Sequence, residues 1–301
     1  VFMDDNPTYF SKSINISVKD PYVTTGPSLT HYFGLGGVVN IPESLSITEI
    51  GQYAFSNFDY IPKGPEDEIS EDAPETTKIW FIGDDTIEEV IIPEGVKTIG
   101  PYAFANLTAL KRVVLPSTLE RIDQGAFYGC TSLQKITFSG ENNLVIISQN
   151  AFEGCDLRGT LELPRICVIS DYAFAGNKKL EGIVTTDTLQ SIGQYAFAGC
   201  KELENVTITA DTVKYGSYAF TGCEALTSFY VNASVLPEGM FYECKNMESV
   251  TVGPQVNDIG EFAFRDTKIS AFTVSDGNST YKAGTAEIII KEGVALLDSL
   301  R

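Results

Sequence analysis

The sequence predicts a solenoid of parallel β-strands, with one strand in each coil of about 23 residues. Three observations carry this prediction: one phrase recurs along the chain, its spacing is nearly constant, and each copy ends in a short apolar alternation. The clearest copy, residues 192–208, reads IGQYAFAGCKELENVTI. Its anchor is an Ala-Phe pair, which Met240-Phe241 replaces once. The phenylalanines of the other copies are Phe55, Phe104, Phe127, Phe152, Phe174, Phe197, Phe220 and Phe264.

Each copy is expected to contribute one strand whose alternate side chains are buried. Because a whole coil separates consecutive strands, they cannot form hairpins and must lie parallel, each beside its counterpart one coil away. The expected strands are residues 39–41, 90–92, 113–115, 136–138, 161–163, 183–185, 206–208, 229–231, 250–252 and 272–274.

The recurring letters have structural interpretations within a coil. Phe and Leu are expected to fill the interior, and the Ala beside each Phe leaves room for the ring of the neighbouring coil. Glycines at Gly51, Gly100, Gly193 and Gly260 suit either a turn with positive φ or a close approach of two backbones. Burial of each large apolar side chain contributes about 1.5–3 kcal/mol, whereas ordering each residue costs about 1–2 kcal/mol. A coil is therefore expected to fold only within the stack.

Composition narrows the class of function. The formal charge of −19 argues against nucleic acid, whose phosphates require Lys and Arg, and against anionic lipid surfaces. No stretch of 18 apolar residues is present, so no transmembrane segment is expected. The chain starts at Val1 without a charged and apolar leader, which favours a processed product whose targeting segment has been removed.

Cysteine and histidine offer little candidate chemistry. Five of the six cysteines stand three positions after the Phe, a slot that holds Leu107 or Asn177 in other copies. Such a slot predicts small, buried, free thiols; a disulfide or a metal bound between neighbouring coils remains an alternative. His31 has no phased partner, so no catalytic triad, zinc site or cofactor is expected. Cys167 lies outside the column, which consists of Cys130, Cys155, Cys200, Cys223 and Cys244.

The middle residue of each strand is expected to point away from the core, and these residues should line up along the stack. Two interpretations remain open. The β-branched residues serve strand propensity alone, or they also form a rigid binding face centred on Val114, Val184 and Tyr230. This outward column consists of Ile91, Val114, Thr137, Glu162, Val184, Thr207, Tyr230, Thr251 and Thr273.

Two further sets of side chains flank this pattern. Lys111, Arg112 and Lys135 are expected near one another beside the outward column. A second column stands two positions before the Phe, where tyrosine is expected to pack on the opposite side with its hydroxyl in water. Its members are Tyr53, Tyr102, Tyr172, Tyr195 and Tyr218.

The order A-F-x-G-C-x-x-L-x-x-V-x-I-P-x-x-V-x-x-I-G resembles the BspA-like leucine-rich repeat over residues 39–274. Its segment Leu203, Val206 and Ile208 is similar to the L-x-x-L-x-L strand of leucine-rich repeats. The resemblance implies a leucine-rich repeat solenoid shaped as a horseshoe, with strands on the concave face and short helical or 3-10 turns on the convex side. It also implies a bacterial cell-surface or secreted protein, as in gut bacteria. Several members are implicated in attachment to host matrix proteins or other microbes.

On this basis the chain divides into an N-terminal cap (1–35), repeats (36–275) and a C-terminal cap (276–301). An acidic insertion at 57–78 interrupts the repeats; its composition predicts a surface loop, with calcium binding as an alternative. The resemblance carries over no catalytic residue. Glycine at Gly159, where a strand begins, departs from the repeat pattern.

The resulting expectation is a non-enzymatic surface or secreted adhesion protein whose strand face binds a host matrix protein, a microbial surface protein or a glycan. A polysaccharide-acting β-solenoid enzyme is one alternative, because its coils have a similar length. Such an enzyme needs carboxylates and cations converging on one face, and here the outward column offers only Glu162 beside three nearby cations. A purely structural repeat module of a larger surface protein is the other alternative.

Overall fold

The chain forms a parallel β-solenoid of about 9 turns. Each coil contributes one long strand and one short strand, and these strands pair with their counterparts in neighbouring coils. The structure is a computed structural model that describes residues 21–56, 86–231, 233–269 and 271–281, and the strands within 284–296. The acidic insertion at 57–78 and its calcium alternative lie outside the described residues, as does most of the expected N-terminal cap.

The described chain begins with an antiparallel hairpin of β1 (Tyr22–Thr25) and β2 (Ser28–Tyr32). The long strands follow the expected positions to within a few residues. They are β3 (Gly37–Asn40), β5 (Ile87–Ile91), β7 (Arg112–Leu115), β9 (Lys135–Phe138), β11 (Gly159–Leu163), β13 (Leu180–Thr185), β15 (Asn205–Ile208), β17 (Ser228–Val231), β19 (Ser249–Val252) and β21 (Ala271–Val274).

A second series of strands, each two residues long, was not expected from the sequence. The described residues contain nine such short strands, each of which follows a long strand. Most of the short strands, together with β1 and β2, form one sheet of nine strands. They are β4 (Glu49–Ile50), β6 (Thr98–Ile99), β8 (Arg121–Ile122), β10 (Ile146–Ile147), β12 (Val168–Ile169), β14 (Ser191–Ile192), β16 (Lys214–Tyr215), β18 (Val235–Leu236) and β20 (Asp258–Ile259).

Three sheets carry the long strands, rather than one continuous sheet. Their orders are β3-β5-β7-β9, β11-β13-β15 and β17-β19-β21-β22, where β22 (Gly284–Glu287) pairs antiparallel with β21. The last described elements, β23 (Ile289–Lys291) and β24 (Val294–Leu296), form an antiparallel hairpin. Breaks therefore occur between β9 and β11 and between β15 and β17.

The Ala-Phe phrase forms a segment of consecutive turns, called here the turn segment. Short helical or 3-10 turns were expected in the coils, but the described residues contain a single 3-10 helix, Glu43–Leu45. In the turn segment, successive N–H groups donate alternately to a carbonyl oxygen of the same coil and to a carbonyl oxygen of the next coil. The N–H of Phe104, for example, donates to the carbonyl oxygen of Ala126 over 2.8 Å, and that of Ala103 donates to Gly100. The turn segment therefore adds a third set of hydrogen bonds between coils.

The phenylalanines form a continuous stack in the core. The ring centroids of Phe104 and Phe127 lie 5.1 Å apart, and those of Phe174 and Phe197 lie 5.4 Å apart, with nearly parallel planes. All of these rings are almost completely buried. The prediction that the Phe column fills the coil interior is confirmed.

Two roles were expected for Gly51, Gly100, Gly193 and Gly260, and the structure supports the close approach of two backbones. A Cβ on Gly100 would lie 2.8 Å from the carbonyl oxygen of Ile50, which is too close for any larger residue. Positive φ is found instead at the glycine after the Ala-Phe pair, as at Gly199 (φ 69°), and at the position of the tyrosine column.

Candidate functional site

The outward column lies in register within each of the three sheets. Val114 stands beside Ile91 and Thr137, Val184 beside Glu162 and Thr207, and Thr251 beside Tyr230 and Thr273. Every member is half-buried or exposed, and the Tyr230 side chain is the most exposed large residue of the set, at 52%. This surface, called here the strand face, is rigid because each of its residues lies on a strand that pairs with at least one neighbour. Its binding role stays a prediction.

The predicted group of cations beside the column is largely neutralised. Arg112 Nη2 lies 2.9 Å from Glu89 Oε2, and Lys111 Nζ lies 3.1 Å from Glu88 Oε2. The hydrogen bond and charge of Glu89 raise the pKa of the Arg112 guanidinium. Lys135 pairs in register with Arg112, but its ammonium forms no ion pair within the described part of the chain. Two of the three cations are therefore already paired with carboxylates.

Sequence reasoning missed an apolar cleft that interrupts the strand face between β9 and β11. These two strands do not pair with each other, although each pairs with its other neighbour. The cleft has a volume of about 330 Å³. Its walls are formed mainly by strand residues and its floor by core residues. The lining consists of Leu115, Ile122, Ile136, Thr137, Phe138, Leu144, Ile147, Phe152, Thr160, Leu161, Glu162, Leu163 and Phe174.

The break partly exposes side chains that occupy core positions elsewhere in the stack. Val113 and Leu115 of β7 are fully buried, and Ile183 of β13 is 1% exposed. The matching residues beside the cleft, Ile136 and Leu161, are only half-buried. Apolar surface is thus partly exposed between two neighbouring sheets of long strands, and ligand sites in proteins have this character.

Two local departures in sequence coincide with this break. Gly159 adopts φ 70°, and the register of β11 against β13 shifts between Gly159 and Thr160, which is the geometry of a β-bulge. The preceding coil is also longer, because Phe127 and Phe152 lie 25 positions apart and the additional residues follow β9. The departure noted at Gly159 in the sequence is therefore the signal that could have located the cleft.

Hydrogen bonds close the cleft at both ends. At the start of the strands, the N–H of Arg158 donates to the carbonyl oxygen of Gln134 over 3.1 Å. At the other end, Asn142 Nδ2 donates to the carbonyl oxygen of Glu162 over 3.1 Å, and Asn142 Oδ1 accepts from the N–H of Leu144. The opening is therefore a bounded feature of the fold rather than a free end of a sheet.

The second break, between β15 and β17, is filled by aromatic rings. Tyr215 occupies the short-strand position that Ile192 holds one coil earlier, and its ring meets Phe229 edge-on at 6.2 Å. Burial raises the pKa of the Tyr215 hydroxyl. Phe229 packs in turn on Phe241, with centroids 5.1 Å apart. These aromatic side chains pack between the coils at this point.

The cysteine column is structural. All five thiols are buried and free, and each donates to the carbonyl oxygen of a Phe in the preceding coil, as Cys200 Sγ does to Phe174 at 3.3 Å. Burial raises the pKa of Cys200 to about 12. Asn177 fills the same slot and bonds the carbonyl oxygen of Phe152 through Nδ2 at 2.8 Å. In these six copies the slot therefore supplies a hydrogen-bond donor, which the interpretation as an apolar position missed, whereas Leu107 fills it without one.

The tyrosine column occupies left-handed backbone. Tyr172, Tyr195 and Tyr218 have φ between 54° and 59°, and their ring centroids stack 5.0 Å apart. Gly125 and Gly239 hold the same position in other coils, and each lies beneath the ring of the preceding tyrosine. Tyr102, Tyr172, Tyr195 and Tyr218 are half-buried over the turns, as the expected packing role requires, and Tyr53 is 43% exposed.

Other candidate chemistry is absent from the described residues. No group of three or more His, Cys, Asp or Glu side chains within them could hold a metal ion. The ring of His31 stacks on Phe33 with centroids 5.8 Å apart. The described chain also contains no helix that is long and apolar enough to cross a membrane.

Comparison with known proteins relates most of the array to one family. The model of a BspA type leucine rich repeat region matches residues 75–167 and 167–285, with 6 copies. No curated protein sequence matches the chain. Among solved structures, a leucine rich repeat protein of T. pallidum is similar at 25% identity and a TM-score of 0.54, over 68% of this chain and 86% of that one.

Two further solved structures are more distantly similar. A leucine rich cell surface protein of Faecalibacterium prausnitzii is 18% identical, over 81% of this chain and 73% of that one, with a TM-score of 0.43. A leucine-rich repeat protein of Bacteroides ovatus is 20% identical, over 81% and 78%, with a TM-score of 0.38. These scores are too low to support an argument about shape.

Proposed function

Because this chain belongs to the BspA-type leucine-rich repeat family, we propose that it is a non-enzymatic binding protein of the bacterial cell surface or its surroundings. The strand face engages a protein or glycan partner, such as a host matrix protein or a surface component of another microbe. The observation that carries the proposal is the outward column, which presents short β-branched side chains and one exposed aromatic residue in fixed register. Extended faces of repeat proteins serve binding in this way.

Tyr230 is the natural anchor of such an interface. Its ring stands 52% exposed on a paired strand beside Thr251. Aromatic side chains supply large contact area at low entropic cost and dominate binding energy in many interfaces. Val184 lies in the next sheet and offers an apolar position of the same column.

Charge favours a partner with a basic patch. The formal charge is −19, and two of the three cations beside the strand face, Lys111 and Arg112, already bind carboxylates. A negatively charged surface attracts basic partners at a rate that falls with ionic strength. Binding is therefore expected to weaken as salt rises, whereas an interface made only of apolar contacts would keep its affinity.

The proposal is tested by binding to immobilised fibrinogen, fibronectin and a glycan panel. The test variant is Val184→Glu/Tyr230→Ala, and the matched control is Val235→Glu/Tyr128→Ala. Val235 and Tyr128 are 41% and 37% exposed, lie on the other two sides of the coil, and undergo the same chemical changes. The expected result is binding by the wild-type chain and the control, with at least tenfold loss in the test variant.

Circular dichroism and melting temperature must agree among the three proteins. Equal binding by both variants would remove the strand face from the interface. Absence of binding by the wild-type chain across the panel would contradict the proposed class of partner.

A further inference from the structure

We propose that the cleft between β9 and β11 receives a large apolar side chain from an extended segment of a protein partner. This inference rests on the proposed binding function and narrows it, because it selects a polypeptide over a glycan. The cleft has a volume of about 330 Å³, within the usual range of ligand sites. It opens on the strand face between Thr137 and Glu162, so a partner that lies along the outward column must pass over it.

The walls determine the chemistry of the occupant. Ile136, Phe138 and Leu161 line the opening, and Phe152 and Phe174 lie beneath it. Thr137, Thr160 and Glu162 supply the polar side chains of the lining, and the other ten lining residues are apolar, so the cleft offers few side-chain partners to sugar hydroxyls. A leucine or aromatic side chain would instead gain about 25 cal/mol for each Å² of apolar surface that it buries there.

Main-chain geometry favours a peptide as the carrier of that side chain. β9 and β11 are unpaired along the edges that face each other, whereas each pairs with its other neighbour over its full length. Extended peptides bind free strand edges through main-chain hydrogen bonds, and their alternate side chains enter pockets. Because hydrogen bonds from Arg158 and Asn142 bound the opening at both ends, only a short segment can reach these edges.

Charge orients the segment along the cleft. Lys135 is exposed at the start of β9, and Glu141 and Glu162 are exposed toward the other end. The charged ends of these three side chains form no hydrogen bond or ion pair with other described residues. The complementary segment carries an acidic residue facing Lys135, an apolar residue at the cleft, and a basic residue facing Glu141 and Glu162.

Selection of a random dodecapeptide library displayed on phage against the wild-type chain tests this inference. Enriched peptides are expected to carry one Leu, Phe, Tyr or Trp between an acidic and a basic residue. The strongest is then synthesised with a fluorescent label and titrated by anisotropy, together with an analogue that has Ala at the apolar position and one with its charged residues exchanged. Both analogues should bind at least tenfold more weakly.

Two variants locate the binding site. Leu161→Trp fills the cleft and should weaken the peptide at least tenfold, whereas Val235→Trp places the same side chain on the exposed short strand β18, away from the strand face, and should preserve its affinity. Phe138→Ala enlarges the cleft, so peptides selected against this variant should carry Trp more often at their apolar position. This second variant keeps the test decisive if Leu161→Trp does not fold. Failure to enrich any peptide, or equal affinity for Leu161→Trp and the wild-type chain, overturns the inference.

The panel of matrix proteins and glycans separates this failure from failure of the proposed function. If Leu161→Trp binds the panel partner as the wild-type chain does while Val184→Glu/Tyr230→Ala does not, the strand face binds and the cleft inference is wrong. If both variants lose the panel partner and Leu161→Trp also loses the peptide, the cleft belongs to the interface.

Discussion

The thiol of Cys200 donates a hydrogen bond to the carbonyl oxygen of Phe174, one coil earlier, over 3.3 Å. Cys223 repeats this contact with Phe197, and Cys244 repeats it with Phe220. Each thiol therefore adds a bond between coils to a buried carbonyl group that also accepts an N–H bond from its own coil. The cysteine column is part of the hydrogen bonding of the stack and is not a reactive site.

Thiol reactivity should separate the six cysteines into two classes. Burial raises the pKa of Cys200 and Cys244 to about 12, so neither forms a thiolate at pH 8. Cys167 is half-exposed outside the column. Titration of the native chain with Ellman's reagent at pH 8 should yield one rapidly reacting thiol, which Cys167→Ser removes, and six in denaturant. Rapid reaction of two or more thiols in the native chain would contradict the assigned burial.

Asn177 offers a test of the donor slot. Its side chain is buried, Nδ2 donates to the carbonyl oxygens of Phe152 and Phe174, and Oδ1 accepts from the N–H of Leu157. Asn177→Leu removes the acceptor of the Leu157 N–H and one donor to each carbonyl oxygen, at about 1–3 kcal/mol for a group that stays dry and unsatisfied. Urea denaturation should show a large loss of unfolding free energy for Asn177→Leu and a smaller loss for Asn177→Cys, which restores the bond to Phe152. Equal losses of unfolding free energy in the two variants would show that the hydrogen bond to Phe152 does not cause the destabilisation.

Gly239 lies under the ring of Tyr218 in a left-handed conformation, φ 58°. Gly239→Ala therefore meets two penalties: about 1–2 kcal/mol for the backbone and a collision between the new Cβ and the tyrosine ring. Gly199→Ala is the matched control, because Gly199 has φ 69° and nothing within 4 Å of a new Cβ. Thermal unfolding should show a clearly larger loss for Gly239→Ala. The double variant Gly239→Ala/Tyr218→Ala should recover part of it, and a lack of recovery would exclude the ring as the cause.

Acid should destabilise the fold in part through Glu94. Hydrogen bonds from Ser139 Oγ and from the N–H and hydroxyl of Ser117 hold the pKa of this carboxyl below its ordinary value of 4.5. A lowered pKa in the folded state gives stability that is present above 4.5 and is lost as pH falls through the folded value. Denaturant titrations between pH 7 and pH 3 should show a shallower decline for Glu94→Gln than for the wild-type chain. Identical slopes would mean that Glu94 contributes nothing to the acid sensitivity.

The long strands and the core could be predicted because their signal repeats. Alternation in residues such as 206–208 occurs in every coil, and the Phe spacing fixes the length of the coil. The short strands could not be predicted, since two residues such as Ser191–Ile192 are too few to show a period. The left-handed backbone of Tyr195 also lacks a sequence signal, because tyrosine rarely adopts positive φ and only its stacked neighbours explain it here.

Only part of the candidate site could be predicted from the sequence, for a related reason. The outward column follows directly from strand periodicity, and the structure places Val184 beside Glu162 and Thr207 as expected. The cleft depends instead on the absence of pairing between β9 and β11, which is a relation between coils. Gly159 was the one letter that departed from the repeat there, and its effect on the sheet cannot be read from a single coil.

Hydrogen–deuterium exchange of the wild-type chain, alone and with its strongest partner from the matrix-protein and glycan panel, tests the central claim most directly. Binding through the strand face predicts slower exchange within 135–138, 160–163 and 181–185, with the amides beside the cleft changing most. The turn segment around Tyr172, Tyr195 and Tyr218 should exchange as before. Protection confined to that turn segment, with no change in β9, β11 or β13, would contradict the account.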